Sequence, residues 1–145
     1  MSEQPRATPS NAFSAELIAH FRANAGQIID GPYKGAPLLL MTTIGARSGK
    51  PLVKPLAYTR AAEDFVVLAS KSGAPSHPDW YRNLKAQPLV MIEVGREQFQ
   101  ARALVVEGAD RERLFAAHAA AFPIFSDYQQ RTSRQIPVIV LKRVT

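Results

Sequence analysis

The 145-residue chain is 46% hydrophobic and 21% charged, the balance of one globular domain able to bury about two-thirds of the surface its unfolded form would expose. It contains no cysteine, which excludes a disulfide framework, a thiolate zinc site and a cysteine nucleophile together, so redox chemistry would need a bound cofactor. The formal charge of +6 favours a polyanionic partner, whether nucleic acid, an anionic membrane surface or a phosphorylated cofactor.

Residues 1–10 carry no structural pattern and are expected to be flexible, leaving 11–145 as a single domain. Ser10 or Asn11 can cap an amphipathic helix running to about Ala25, with Phe13, Leu17, Ile18 and Phe21 on one face and Gly26 ending it. That face either packs on the domain or makes a peripheral contact with a membrane or a second subunit; packing is the favoured reading. No apolar run approaches the roughly 18 residues of a membrane span, and the N-terminus lacks a signal-peptide layout, so a cytoplasmic protein is expected.

A turn over Asp30–Gly35 leads into a buried strand, Pro37–Ile44, and then a loop, Gly45-Ala46-Arg47-Ser48-Gly49-Lys50. Pro51–Arg60 alternates as a second strand, and Ala61–Asp64 turns it into a third, Phe65–Ser70. A second loop, Ser70-Lys71-Ser72-Gly73, precedes a short helix over Pro78–Ala86 with Ser76 or His77 near its cap. Pro88–Val94 and Glu97–Val106 form a hairpin about Gly95-Arg96, Ala109–Ala121 is helical, Phe122–Gln130 runs irregularly past Pro123, and Pro137–Val144 is a central closing strand. Short hairpin strands with helices between them predict an α+β chain built on a small antiparallel barrel or sandwich.

The segment Thr42–Lys85 holds seven cations, Arg47, Lys50, Lys54, Arg60, Lys71, Arg82 and Lys85, against Glu63, Asp64 and Asp79. Its first loop joins two glycines, a hydroxyl and two cations: backbone amides of such a turn form an anion nest, Ser48 can donate to an oxyanion and Arg47 can grip a phosphate bidentately. The pattern is neither a P-loop nor a dinucleotide fingerprint, and alone it equally describes a solvated hairpin turn. The second loop has the same chemistry, and two such loops at adjacent strand ends can grip separate parts of one extended polyanion. Trp80 and Tyr81 either line a planar ligand or pack on the sheet, and Asn83 orients either a ring or the backbone. His20, His77 and His118 lack metal-ligand spacing, and Ser48, Ser70 and Ser72 lack a nucleophile elbow, so the chemistry is left to a bound anionic reagent.

Thr42-Thr43-Ile44-Gly45-Ala46-Arg47-Ser48-Gly49-Lys50-Pro51, Lys54-Pro55-Leu56, Ala69-Ser70-Lys71-Ser72-Gly73-Ala74, Trp80-Tyr81-x-Asn83-Leu84 and Asp127-Tyr128-Gln129, in order and with matched spacing over some three-quarters of the chain, resemble the deazaflavin-dependent nitroreductase family. The resemblance implies a split β-barrel of the flavin-reductase type, with an N-terminal helix and short helices packed outside. It also implies coenzyme F420, a deazaflavin with a phospholactate and oligoglutamate tail, delivering hydride to a quinone, enone, unsaturated lactone or nitroaromatic. Carried over by position, Ala46, Arg47, Ser48, Gly49 and Lys50 would hold the phosphate and tail. Lys54, Pro55 and Leu56, with Leu68, Ala69, Ser70 and Lys71, would edge the deazaflavin ring, and Asp79, Trp80 and Asn83 would close its other side. Phe122, Phe125 and Tyr128 would form the substrate pocket, with Ser70 or Tyr128 as the catalytic hydrogen-bond donor to the developing enolate and solvent supplying the final proton.

One departure bears on substrate. Where the nitroreductase carries Tyr-Pro-x-Tyr-x-Asp-Tyr-Gln, this chain has Phe122-Pro123-Ile124-Phe125-Ser126-Asp127-Tyr128-Gln129. The more apolar pocket suits quinones, enones or lactones over nitroimidazoles. The expected partner is thus a small molecule with no nucleic acid, on a monomer or homodimer. FMN or haem in the same barrel is the alternative cofactor reading, and a basic nucleic-acid-binding module the alternative class.

Overall fold

The computed structural model describes residues 8–9 and 12–145. Thr8–Pro9 form a two-residue strand, β1, while the remainder of 1–10 and the candidate cap Asn11 lie outside the described residues. The elements that follow are α1 (Ala12–Ala23), β2 (Leu38–Ile44), β3 (Pro51–Ala57), β4 (Thr59–Ala61), β5 (Asp64–Leu68), α2 (Asp79–Ala86), β6 (Leu89–Val94), β7 (Glu97–Val106), α3 (Gly108–Ala121), α4 (Ile124–Gln130) and β8 (Val138–Arg143).

One sheet holds all the strands, in the order β1-β3-β2-β6-β7-β8-β5-β4. All its pairings are antiparallel except the short parallel one of β1 with β3. The expected second strand, Pro51–Arg60, is corrected to two strands broken at Tyr58, whose N–H donates to the Pro37 carbonyl at 3.1 Å. β3 pairs with β2 while β4 pairs with β5, so only the last part of the expected strand meets Phe65–Ser70. One bent run of chain thereby forms both flanks of the sheet and curls it into a split barrel.

Alternation decides what fills the barrel. Leu39 and Met41 of β2, Phe65 and Val67 of β5, Val90 and Ile92 of β6, Phe99 and Ala101 of β7, and Ile139 and Leu141 of β8 meet inside, all buried. The opposite faces of the same strands are also covered. α1 lays Ile18 and Phe21 on Leu38, Leu40 and Val53, and α3 lays Leu114 on Val66, Leu68, Val138 and Val140. β2, β5 and β8 are buried on both sides, which is why they read as continuous apolar runs in the sequence. The apolar stripe of α1 is spent on the sheet, and among the described residues no helix is long and apolar enough to cross a membrane.

Two helix expectations change. Phe122–Gln130 is irregular only as far as Pro123, after which α4 forms, because proline presets the dihedral of a helix start and Gly73 docks beneath the helix. A Cβ at Gly73 would fall 2.6 Å from the Tyr128 carbonyl oxygen, so only glycine allows the approach. α2 begins after Pro78 with no side-chain cap: His77 turns its Nδ1 to Arg134 at 3.0 Å, and Ser76 meets the Lys71 ammonium at 3.4 Å.

α3 is fixed by two buried polar residues. Arg111 donates to the Ile136 carbonyl at 2.7 Å and to Gln129 Oε1 at 3.0 Å. The same Gln129 oxygen accepts from the Ile136 N–H, and its amide donates to the Arg134 carbonyl. His118 is fully buried, shares a 2.9 Å hydrogen bond with Thr59 Oγ1 and packs between Phe122 and Phe125. Burial pushes its imidazole down to about 4. Between the ordinary histidine value and that point the unfolded chain takes up a proton that the folded chain refuses, so stability falls as pH falls through this window, by up to roughly 3 kcal/mol. Urea unfolding at pH 7 and pH 4.5 should show this loss in the native chain and a smaller one in His118→Gln; equal losses in the two would remove His118 as the cause.

Candidate functional site

The first loop, 45–50, is a turn closed by Gly45 N–H to the Lys50 carbonyl (2.8 Å) and Gly49 N–H to the Gly45 carbonyl (2.9 Å), with Gly49 at φ +70°. Ser48 Oγ accepts from the Lys50 N–H at 3.2 Å and keeps its own proton to donate. The loop is held from outside by Asn83 on α2, a buried residue. Its Oδ1 accepts from the Ala46 N–H at 2.9 Å and its Nδ2 donates to Thr43 Oγ1 at 3.2 Å. The N–H groups of Arg47 and Ser48 have no acceptor among the described residues, and both side chains are exposed.

The second loop repeats this logic with a different anchor. Ser70 is right-handed, and Lys71, Ser72 and Gly73 follow at φ +47°, +54° and +79°. Two successive non-glycine residues in the left-handed region carry strain of about 1–3 kcal/mol each, which persists only where surroundings enforce it. Arg134 enforces it: its guanidinium donates to the carbonyls of Ala69 (3.2 Å), Ser70 (2.6 Å) and Ala74 (2.8 Å). The N–H groups of Lys71 and Ser72 have no acceptor among the described residues, and a right-handed to left-handed step of this kind makes an anion nest.

Two hollows border β3, the first of them adjoining the first loop. A groove of about 570 Å³ is lined by the first loop, Leu52, Asp79, Arg82 and Asn83. A cleft of about 380 Å³ is lined by Lys54 and Pro55 of β3, Leu17 and Tyr33 from α1 and the turn after it, and Phe122, Phe125 and Tyr128. Leu52 and Lys54 are two residues apart on one strand, a rise of about 7 Å. Groove and cleft thus both border β3, the groove at Leu52 and the cleft at Lys54 and Pro55.

Of the residues singled out in the sequence, Ala46, Arg47, Ser48, Asp79 and Asn83 come together at the groove. Lys54, Pro55, Phe122, Phe125 and Tyr128 come together at the cleft. Others are turned away from both hollows. Trp80 is packed in the barrel core at 7% exposure. Leu68 and Ala69 are buried, and both backbone groups of Ala69 are bonded, its N–H to the Pro137 carbonyl and its carbonyl to Arg134. Ser70 is 9% exposed and lines neither hollow. Arg82, at the groove and paired with Asp79 at 3.4 Å, and Arg134 were not singled out. Arg134 carries no motif, since its partners lie some 60 residues away in the chain.

The family model described as F420H(2)-dependent quinone reductase matches residues 14–143. The chain belongs to this family. It is 37% identical over 133 residues to a Mycobacterium tuberculosis (strain H37Rv) protein named F420H(2)-dependent quinone reductase, with 86% of each chain covered. Among solved structures it superposes on one titled F420-H2 dependent reductase at a TM-score of 0.68 and 37% identity, covering 73% of this chain and 94% of that one. Another, titled only as a domain-swapped dimer, gives 0.70 and 33%, covering 88% and 93%. The split barrel expected from the motifs is the fold these family structures share with the chain.

The anchoring of the first glycine loop by Asn83 has a measurable consequence. Asn83→Ala orphans the Ala46 N–H and the Thr43 hydroxyl, at a cost of about 2 kcal/mol. Hydrogen exchange over residues 44–50 should rise well beyond the global change, and Asn83→Asp, which keeps the acceptor for Ala46, should fall between. Unchanged exchange in Asn83→Ala would remove the anchor.

Proposed function

We propose that this chain is a coenzyme F420-dependent oxidoreductase that reduces quinones. The observation that carries the reading is the adjacency, on one strand, of an anion-suited groove and an aromatic, mostly apolar cleft. A ligand with a polyanionic tail and a planar ring fits such a surface laid along β3, and the family's relatives are named for that coenzyme.

The donor set fits the tail. Arg47 and Lys50 are exposed, Arg82 lines the groove, and the amides of Arg47 and Ser48, without an acceptor among the described residues, point to the same chemistry. Together they would hold phospholactate and the first glutamates, with Lys71 and its amide pair supplying a second anion grip. Pro55 and Leu56 would edge the ring. When bound, the reduced deazaflavin supplies a hydride to an electrophilic acceptor. The chain's part is to bind, orient and exclude water. Phe122 and Phe125, packed on His118 and on each other, wall the acceptor side, and the Tyr128 hydroxyl orients a carbonyl by hydrogen bonding. Tyr128 is preferred over the nearly buried Ser70 for this role.

Titration of the purified protein with F420 should show tight binding that weakens as salt is raised, with FMN, which lacks the oligoglutamate, bound far less well. Arg47→Ala and Lys71→Ala should each lower F420 affinity about 10-fold and flatten the salt dependence; affinities indifferent to both changes, or FMN binding more tightly, would overturn the assignment. Tyr128→Phe should lower turnover with 2-methyl-1,4-naphthoquinone about 10-fold while leaving F420 affinity unchanged. Unaltered turnover would remove the hydroxyl from the reaction.

A further inference from the structure

His118, near the end of α3, is fully buried against aromatic rings. Its ring lies 5.1 Å from Phe122 and stands edge to face with Phe125 at 4.6 Å. Phe125 in turn stands edge to face with Tyr128 at 5.5 Å. Those three aromatic residues line the cleft, and His118 sits behind them. Its Nδ1 meets Thr59 Oγ1 of β4 at 2.9 Å, while its Nε2 is buried with no hydrogen-bond partner among the described residues. Such a half-bonded polar ring stabilises the fold less than a phenylalanine or leucine filling the same space, so packing alone does not account for a histidine. What the Thr59 bond adds is orientation. The last torsion of an aromatic side chain has broad wells; a hydrogen bond from the ring edge to a strand narrows it, and edge-to-face contacts pass the fixed plane to the next ring. The backbone ties the same group together, because the Phe122 N–H donates to the His118 carbonyl at 2.9 Å.

We propose that His118, locked by Thr59, is the positioning residue of the acceptor cleft and sets a preference for flat quinones. This rests on the quinone-reductase reading and deepens it by naming the shape of the acceptor. Thr59 directly follows the bend at Tyr58 and pairs with Val66 of β5, so the wall of Phe122, Phe125 and Tyr128 takes its alignment from the sheet itself. A quinone whose substituents lie in the ring plane can rest against rings held in this way. Groups standing out of that plane must displace them. Burial pushes the imidazole down to about 4, so at neutral pH it is uncharged and works through shape. It touches no acceptor and moves no proton; it acts through Phe122 and Phe125.

Two quinones read the shape of the cleft. 2-Methyl-1,4-naphthoquinone is flat, whereas 2,6-di-tert-butyl-1,4-benzoquinone carries methyl groups above and below its ring. Their affinities are measured by quenching of intrinsic fluorescence, without coenzyme and with oxidised F420, for the native chain, Thr59→Val, Thr59→Ser, His118→Phe and the Thr59→Val, His118→Phe double variant. The native chain should favour the flat quinone. Thr59→Val and His118→Phe should each narrow that preference about 10-fold, chiefly by admitting the bulky quinone, with F420 affinity unchanged. Thr59→Ser keeps the hydroxyl and should keep the native ratio. The double variant should narrow the ratio no further than either single change, since both break the same link. In steady state the change should fall on KM for the bulky quinone rather than on kcat for the flat one. An unchanged ratio, equal loss of both quinones, or additive effects in the double variant would overturn the proposal. F420 binding and turnover with an unchanged ratio would overturn it and leave the reductase reading standing. A shifted ratio in a chain that does not bind F420 would retain the positioned wall and overturn the coenzyme reading.

Discussion

Everything in this molecule hangs on the bend at Tyr58. An open sheet has two edges with unpaired backbone groups, each needing cover or a partner. Here one continuous run of chain supplies both flanks, β3 on β2 and β4 on β5, so the sheet is curled by a covalent link. The bend has a second effect. It leaves β3 on the flank, where among the described residues Thr8–Pro9 alone pair with its outer side, alongside Leu52 and Val53. That strand carries a glycine loop at its start, the groove at Leu52 and the cleft at Lys54 and Pro55. The constraint that closes the barrel is also what exposes a linear track on its surface.

The two glycine loops solve one problem by different means. Each must present consecutive unbonded amides beside a cation and a hydroxyl, an arrangement a short loop does not hold unaided. In the first loop a buried amide side chain from α2 pins the backbone. In the second, a guanidinium from the segment before β8 gathers three carbonyls and forces a left-handed run, while Gly73 lets α4 close down on it. α4 thus belongs to the loop as much as to the cleft wall, because Tyr128 has its backbone against Gly73 and its side chain at the cleft.

Much of this could be read from the residues, for identifiable reasons. Strands buried on both faces announce themselves as apolar runs, so β2, β5 and β8 were plain, and the turn at Gly95 marked the hairpin of β6 and β7. The chemistry of the two glycine loops was likewise local. What escaped was set by distant partners. The break at Tyr58 depends on which strands flank the run, and α4, a short helix with aromatic residues of modest propensity, exists through docking. Arg134 looked like any surface arginine, and Trp80 had equal claims on core and site until the barrel's interior took it. Asn83 stood between ring and backbone, and the backbone has it.

The way the first loop is pinned separates its shape from its charge. Among the described residues the Asn83 side chain hydrogen-bonds the Ala46 amide and, through Thr43, the strand that enters the loop, and not Arg47 or Lys50. Those two side chains are therefore interchangeable parts on a fixed frame. Evolution or a protein engineer can rewrite them to suit shorter, longer or differently charged ligand tails without re-solving the loop's conformation.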